Sequence, residues 1–495
     1  MNLSEKAGAV IRILEQAVWG TPTLFLLVFT GILLTVRTGG FQFRSFFPML
    51  KHTLGSITRR SADKTASPGE VSPFQALCTA LSATIGTGNI AGVAYALVMG
   101  GAGAVFWMWA AAGVGMILKY AESVLAVRYR VQTPEGVRGG AMYYLERGFA
   151  ERFGMKKFGK ALALIFSLSA VAASFGMGNM SQVAAIKESV FAVIDAPAGA
   201  DGLWIGAAAA AAAALVILGG AQRVARANER LVPFMALFYT AGSFIILAVY
   251  ADRILPAFGS IFTQAFCLSA AAHGTAGYAL ARAVSWGFKR GIFSNEAGLG
   301  SSAAIHAASS ETVPSKQGYW GIFEVFFDTG VICTLTALVI LVTGVSEKPG
   351  VSTAQGAGLS LAVEAFADVF GRFGGYFIAF AVTLFAFSSI LGWSFYGVRA
   401  WEYVFGTKSI CIYKAAFAAA ALPGALLGTQ EILRVSDIFN GLMALPNLVG
   451  LLALVGVVSA CTPKRGERTN RKMHLNFCCR ESESNGIADK VNQSL

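Results

Sequence analysis

The sequence predicts an all-α integral membrane protein with about eleven spanning helices. Three observations carry that reading. The mean hydropathy is +0.60, charged residues make up only 13% of the chain, and apolar windows of about 20 residues, enough to cross the hydrocarbon core, recur from Trp19 almost to Ala460. A soluble surface needs about twice that charge. Most of the 495 residues therefore belong in lipid.

Taken in order, the predicted spans begin near Trp19, Phe74, Gly103, Lys160, Trp204, Leu231, Ala270, Tyr319, Gly374, Ile410 and Ile432, each about 18 to 28 residues long at a rise of 1.5 Å per residue. Basic residues alternate between them. Arg37, Arg44, Lys51, Arg59, Arg60 and Lys64 fill the first loop, and Arg128, Arg130, Arg138, Arg147, Arg152, Lys156, Lys157 and Lys160 surround the third. Arg223, Arg226 and Arg230 mark a further basic loop, and Lys464, Arg465, Arg468, Arg471 and Lys472 follow the last span. Loops of this kind face the cytoplasm. The topology expected is an extracytoplasmic N-terminus (residues 1–18), a transmembrane domain (19–460) and a polar cytoplasmic tail (461–495) in the inner, or plasma, membrane.

The net charge of +12 would suggest nucleic acid in a soluble protein, but here it is a topology signal, and no nucleic-acid partner is expected. The seven cysteines are scattered without a CxxC pair, which argues against a disulfide framework or zinc site. Met1 to Gly20 lacks a basic leading region and a small-residue cleavage site, so the first span is expected to stay in the protein. The alanine run from Ala207 to Ala214 reads as a helix-packing surface.

Two apolar segments are interrupted by glycine and polar residues that no lipid-facing helix would tolerate. They are Ser82-Ala-Thr-Ile-Gly-Thr-Gly-Asn-Ile-Ala-Gly92 and Ser285-Trp-Gly-Phe-Lys-Arg-Gly-Ile-Phe-Ser-Asn-Glu-Ala-Gly-Leu-Gly-Ser-Ser302. With the first helix set aside, they fall on the first and sixth of the remaining spans, at matching positions in two halves of five. An odd number of spans per half makes the halves inverted. Broken helices at corresponding places of inverted halves point to a transporter site near the bilayer midplane. There, freed amides at a half-helix N-terminus attract a carboxylate and freed carbonyls hold a cation.

The segments Gly86-Thr-Gly-Asn-Ile-Ala-Gly92, Gly100-Gly-Ala-Gly-Ala-Val-Phe-Trp-Met-Trp109 and Lys289-Arg-Gly-Ile-Phe-Ser-Asn-Glu-Ala-Gly-Leu-Gly300 resemble signatures of the alanine or glycine:cation symporter family, the sodium:alanine symporters. Gly139-Gly-Ala-Met-Tyr-Tyr-Leu-Glu146 and Phe175-Gly-Met-Gly-Asn-Met-Ser-Gln182 are similar to further family segments. Two positions depart from the pattern, Ala141 and Ala303 standing where relatives have proline. The resemblance implies the leucine-transporter fold, a 5+5 inverted repeat preceded by one extra helix.

It also implies roles for individual residues. The substrate carboxylate would meet the backbone amides of Thr87 and Gly88, with Asn89 fixing the local geometry. Asn179 and Gln182, three apart on one predicted helix, would offer side-chain amides to the ammonium or carboxylate, or else bond helix to helix. Trp286, Phe288 and Ile292 would wall the methyl side of the substrate, while Gly291 and Asn295 would supply backbone freedom and a polar contact. By analogy with the sodium position of the fold, the cation would lie between the carbonyls of Ser82 and Ile85 and the hydroxyls of Ser388 and Ser389. Serine can alternatively return its hydroxyl to a helix carbonyl.

Ionisable residues inside the spans are costly and so conspicuous: Lys289, Arg290, Glu296, Glu324 and Asp328 suggest a buried network, and Lys119 with Glu122 an i,i+3 pair. The function expected is symport of a small neutral amino acid, alanine foremost with glycine and D-alanine as the other candidates, with co-transported sodium, by alternating access. A proton-coupled permease of the same fold is the alternative, and a channel a weaker one. No Gly-x-x-x-x-Gly-Lys-Ser/Thr loop supports an ATPase, and the four histidines lack metal-ligand spacing, so no enzyme is expected.

Overall fold

The computed structural model describes residues 18–58, 70–133, 136–194, 196–197, 201–266, 276–347 and 357–464. The N-terminal segment before Val18, the tail beyond Lys464 and the predicted helix start at Ala270 lie outside them. An apolar helix, α1 (Thr21–Arg37), comes first. The next span is broken: α2 (Pro73–Thr84) and α3 (Ala91–Gly100) meet at a bend of 63°. Then follow α4 (Gly103–Arg128), a hairpin of β1 (Val131–Thr133) and β2 (Gly136–Arg138), α5 (Ala141–Phe153), the long α6 (Lys156–Val193), α7 (Leu203–Ile217), α8 (Ala221–Val249) and α9 (Ala251–Ala265).

A second half repeats the plan. Its first span is broken as well, into α10 (Ala276–Asn295) and α11 (Ala303–Ala307). After it come α12 (Pro314–Thr343), α13 (Ala357–Phe370), α14 (Arg372–Phe405), α15 (Thr407–Leu426) and α16 (Thr429–Ala453). In each half a broken helix is followed by a long one, then by a short helix, α5 or α13, and then by the longest of the set. Helix α4 packs along both α10 and α12, whereas α2 lies against α8 and α14.

Local sequence explains where α2 starts and stops. Ser72 and Gln75 form a capping box, each side chain bonding the other's backbone N–H at 3.1 Å, and Pro73 opens the first turn. At the far end the Ile85 N–H makes the last helical bond, to Leu81 at 2.7 Å. The next amide, Gly86, turns instead to the side chain of Asn89 at 3.0 Å.

The structure narrows the second interruption to the C-terminal part of the expected segment. Ser285 to Asn295 is continuous helix, and the chain leaves it only at Glu296. Glu296 adopts φ 52°, a left-handed conformation, and Gly298 and Gly300 follow with φ 84° and 75°. Gly287 and Gly291 are there for close packing: a Cβ on Gly287 would meet the Ala104 carbonyl at 2.4 Å, and one on Gly291 would reach the Ala111 side chain at 3.0 Å. The role expected of Gly291, backbone freedom, is therefore corrected to close approach of α10 to α4. Several helices too short to span escaped the hydropathy reading, among them Phe46–Thr58, α5, α9 and α13. Helix α8 starts well ahead of Leu231 because its Arg-bearing first turns extend beyond the apolar window.

Candidate substrate and cation site

At the first break, Gly86 is extended and Thr87–Asn89 form a single 3₁₀ turn. Its bonds run from Asn89 N–H to Gly86 and from Ile90 N–H to Thr87. The N–H groups of Thr87 and Gly88 head this turn, the position where helical amides have no intrahelical acceptor. Gly88 is exposed and Thr87 half-buried, although neighbours on both sides are buried. The carbonyl of Ser82 is freed by the same event, since the Gly86 N–H that would have served it goes to Asn89.

Asn89 is the fastener of this break. While its oxygen holds Gly86, its nitrogen donates to Asp328 Oδ1 at 2.6 Å and to Ser294 Oγ at 3.1 Å. Ser294 and Thr329 donate to the other carboxylate oxygen of Asp328 at 2.7 and 2.9 Å. Thus α2/α3, α10 and α12 are tied together at one buried point. Asp328 sits in a π-helical segment of α12, Phe326–Cys333, a wider turn common at functional positions.

The proposed cation ligands converge. Ser388 Oγ lies 3.4 Å from the Ser82 carbonyl, and a Cβ placed on Gly86 would come within 2.8 Å of Ser389 Oγ. Both serines give their protons back to the Phe385 carbonyl, at 2.8 and 3.0 Å. That is the local bond serine tends to make, and it leaves oxygen lone pairs rather than protons for the freed carbonyl ends of α2. Ile85 caps α2 with ψ 87°, which takes its carbonyl out of the helical ladder.

The remaining predicted residues divide. Gln182 faces the break: its Oε1 is 3.7 Å from a Cβ built on Gly86 and is buried without a hydrogen bond, while its nitrogen donates to the Met177 carbonyl at 3.0 Å. Asn179 does not share that face. Its nitrogen donates to the Phe417 carbonyl of α15 at 2.5 Å, a bond between helices. The cause is a π segment in α6, Gly176–Met180, whose wider turn removes the register that puts residues three apart on one side.

On α10 the expected wall is split. Trp286 packs edge-on against Tyr95 of α3 with ring centroids 5.2 Å apart, and Arg290 lies over both rings. Phe288 points to Trp107 of α4 at 6.0 Å, so the two aromatics do not line one pocket. Ile292 is buried. Asn295 makes its polar contacts within the fold, to Thr329 Oγ1 at 3.1 Å and to the Ala297 N–H at 3.0 Å.

The second break is wrapped in charges. Lys119 of α4 donates to Glu324 at 2.8 Å and to Ser302 at 2.9 Å, His306 meets Glu324 at 3.1 Å, and Gln317 meets His306 at 2.7 Å. Glu122 accepts from the Gly300 N–H and from Asn447. Glu296 accepts from Ser301 at 2.7 Å and from the Trp393 indole at 3.1 Å. Lys119 therefore pairs with Glu324 rather than with Glu122. Trp393 carried no sequence signal, because its partner is far away in the chain.

Two broken helices meeting at buried polar residues, inside spans that are otherwise apolar, define a multi-pass membrane transporter. The chain belongs to the Sodium:alanine symporter family, whose profile it matches over residues 4–476. It is 42% identical to the Sodium/alanine symporter AgcS of Methanococcus maripaludis over 91% of this chain and 95% of the relative. It is 32% identical to the Amino-acid carrier protein AlsT of Bacillus subtilis over 91% and 90%. Among solved structures, MhsT in complex with L-phenylalanine superposes with a TM-score of 0.59 at 16% identity, covering 84% of this chain and 98% of that one. The fold is that of the leucine transporter, and the protein is a cation-coupled amino-acid symporter, not an enzyme.

Proposed function

We propose that this protein carries a small neutral amino acid, alanine foremost with glycine and D-alanine as the other candidates, into the cell together with sodium, by alternating access across the inner membrane. The N-terminus lies outside and the polar tail in the cytoplasm in this reading. The observation that supports it best is the convergence on Gly86. The leading amides of Thr87 and Gly88, the unpartnered oxygen of Gln182 and the oxygens of Ser82, Ser388 and Ser389 all meet around one glycine. Amides suit a carboxylate, and neutral oxygens without a dedicated carboxylate suit sodium. The AgcS relative, named for sodium and alanine, agrees.

A proton-coupled reading draws on Asp328, a buried carboxylate whose hydrogen-bond partners Asn89, Ser294 and Thr329 are all neutral. One experiment separates the two. Uptake of radiolabelled L-alanine into proteoliposomes is measured with an inward sodium gradient, with potassium in its place, and with an inward proton gradient, for the unaltered chain and Ser389→Ala. Sodium-driven uptake weakened by Ser389→Ala is the expected result. Uptake driven by protons alone would sink the sodium assignment, and none under any gradient would move attention to another substrate.

A further inference from the structure

Trp393 lies four residues beyond Ser389 on α14, about 6 Å along the helix axis at 1.5 Å per residue, toward the end of the bundle that carries the basic loops. On one side its Cβ abuts Gly178 of α6, where a Cβ would come within 2.4 Å. Beyond it lies a cavity, walled by Ala141, Phe166, Gly300, Ala304, Tyr396 and Met443, with free space for about one water molecule. Two features mark this cavity as more than a packing flaw. The Tyr396 hydroxyl at its edge is buried with no hydrogen-bond partner, a state that folded proteins seldom leave standing. The Trp393 indole N–H is held by Glu296 at 3.1 Å, the one non-glycine residue with positive φ among the described residues, so the second break fastens the tryptophan in place.

We propose that Trp393, latched by Glu296, is the inner barrier of the transport path, and that the cavity behind it widens into the exit for a zwitterionic amino acid when the latch releases. The inference rests on the transport reading above. Glu296 is a positioning residue: its carboxylate accepts from Trp393 and from Ser301, so a rearrangement of the second break pulls on the ring. Tyr396 then offers its hydroxyl to the passing substrate or to the water that follows it.

The test uses the full-length protein with Ala304→Cys in the cavity wall, reacted in detergent with a small hydrophilic thiol reagent. The same chain without Ala304→Cys is the background for its native cysteines. Removing the indole donor with Trp393→Phe is expected to speed labelling at position 304 about tenfold, the scale of one lost hydrogen bond to a charged group, Glu296→Gln, whose amide oxygen still accepts but without charge, to speed it several-fold, and Trp393→Ala to speed it further than either. Trp393→Phe keeps a ring of similar bulk, so a folding failure of Trp393→Ala leaves the test standing. Equal labelling rates in the unaltered, Trp393→Phe and Glu296→Gln chains overturn the barrier. Preloaded proteoliposomes supply the second readout: both conservative variants are expected to leak alanine several-fold faster than the unaltered protein while binding it within about twofold. Faster labelling in a protein whose unaltered form carries no alanine would refute the substrate assignment and leave the barrier intact.

Discussion

The two broken helices occupy matching places in the two halves, yet they are finished differently. At the first, the chain leaves polar groups open: Gly88 is exposed, the leading amides of the 3₁₀ turn face no acceptor on their own helix, and the nearby Gln182 oxygen is unpartnered. At the second, from Glu296 to Ser302, every residue is buried, and Lys119, Glu122, Asn447 and Trp393 reach in to bond the freed groups. An open break is built to receive a ligand, since a buried polar group without a partner costs about 1–3 kcal/mol and a ligand can supply that partner. A break whose freed backbone groups, here Gly298 and Gly300, are already served by the protein is a joint, even where the serving network keeps spare acceptors at Glu122 and Gln317. The comparison assigns recognition to the first break and mechanical linkage to the second.

The largest expected effect lies at the joint. Lys119→Ala leaves the buried Glu324 without its ammonium partner, and breaking a buried pair in this way costs about 3–5 kcal/mol. Melting of the purified protein in detergent should fall steeply, and the double variant Lys119→Ala/Glu324→Ala should recover part of the loss. A single variant that melts like the unaltered chain would show that the second break does not depend on its charges. At the open break, Gly86→Ala pushes a methyl to 2.8 Å from Ser389 Oγ. Such overpacking costs about 1–3 kcal/mol, and here it falls on the ligand groups. Alanine binding should drop at least about tenfold with a smaller change in melting than Lys119→Ala produces.

Asn89→Ala probes the fastener between the two. It releases the Gly86 N–H, which can then return to the Ser82 carbonyl as in an unbroken helix, and it removes one donor from Asp328. A penalty of about 1–3 kcal/mol follows from Asp328 Oδ1 losing its donor, while Oδ2 keeps Ser294 and Thr329. Sodium dependence of uptake should weaken along with stability, because the freed carbonyl is covered. Retained sodium dependence would mean that the cation does not use the Ser82 carbonyl.

The all-helical, multi-pass character and the order of the long spans were legible in the sequence, because apolar stretches of membrane length are hard to mistake. The first break was legible as well. Gly86, Gly88 and Asn89 stand within a few residues of one another, and the bond that makes the break, Gly86 to Asn89, is local. The second was drawn too wide, from Ser285 to Ser302, because glycine in a helix carries two meanings. Gly287 and Gly291 serve close packing on α4, at a penalty to the helix of about 1 kcal/mol each, and nothing local separates them from Gly298 and Gly300, which turn the chain. Trp393 and Lys119 were not legible as partners of Glu296 and Glu324: those bonds join different spans, and side-chain direction in α12 and α6 is reset by π segments that composition does not announce.

The smallest predicted effect is the sharpest test of that reset. Asn179 and Gln182 look equivalent in sequence, two amides three residues apart, and each keeps a buried oxygen without a bond, yet Asn179 ties α6 to Phe417 of α15 whereas the Gln182 oxygen lies beside Gly86. Gln182→Met loses only the bond to Met177, worth about 1 kcal/mol of stability, while a hydrogen bond from Gln182 to a charged ligand would carry about 1.5–3 kcal/mol. Alanine affinity should therefore fall about tenfold with melting little changed. Asn179→Leu should do the reverse, lowering the melting temperature and leaving affinity near that of the unaltered chain, since its bond serves the contact between α6 and α15. Equilibrium binding and melting measured on both variants decide the matter. Equal losses of affinity would restore the simple helical register, in which both amides address the substrate, and would remove the π segment of α6 from the account of recognition.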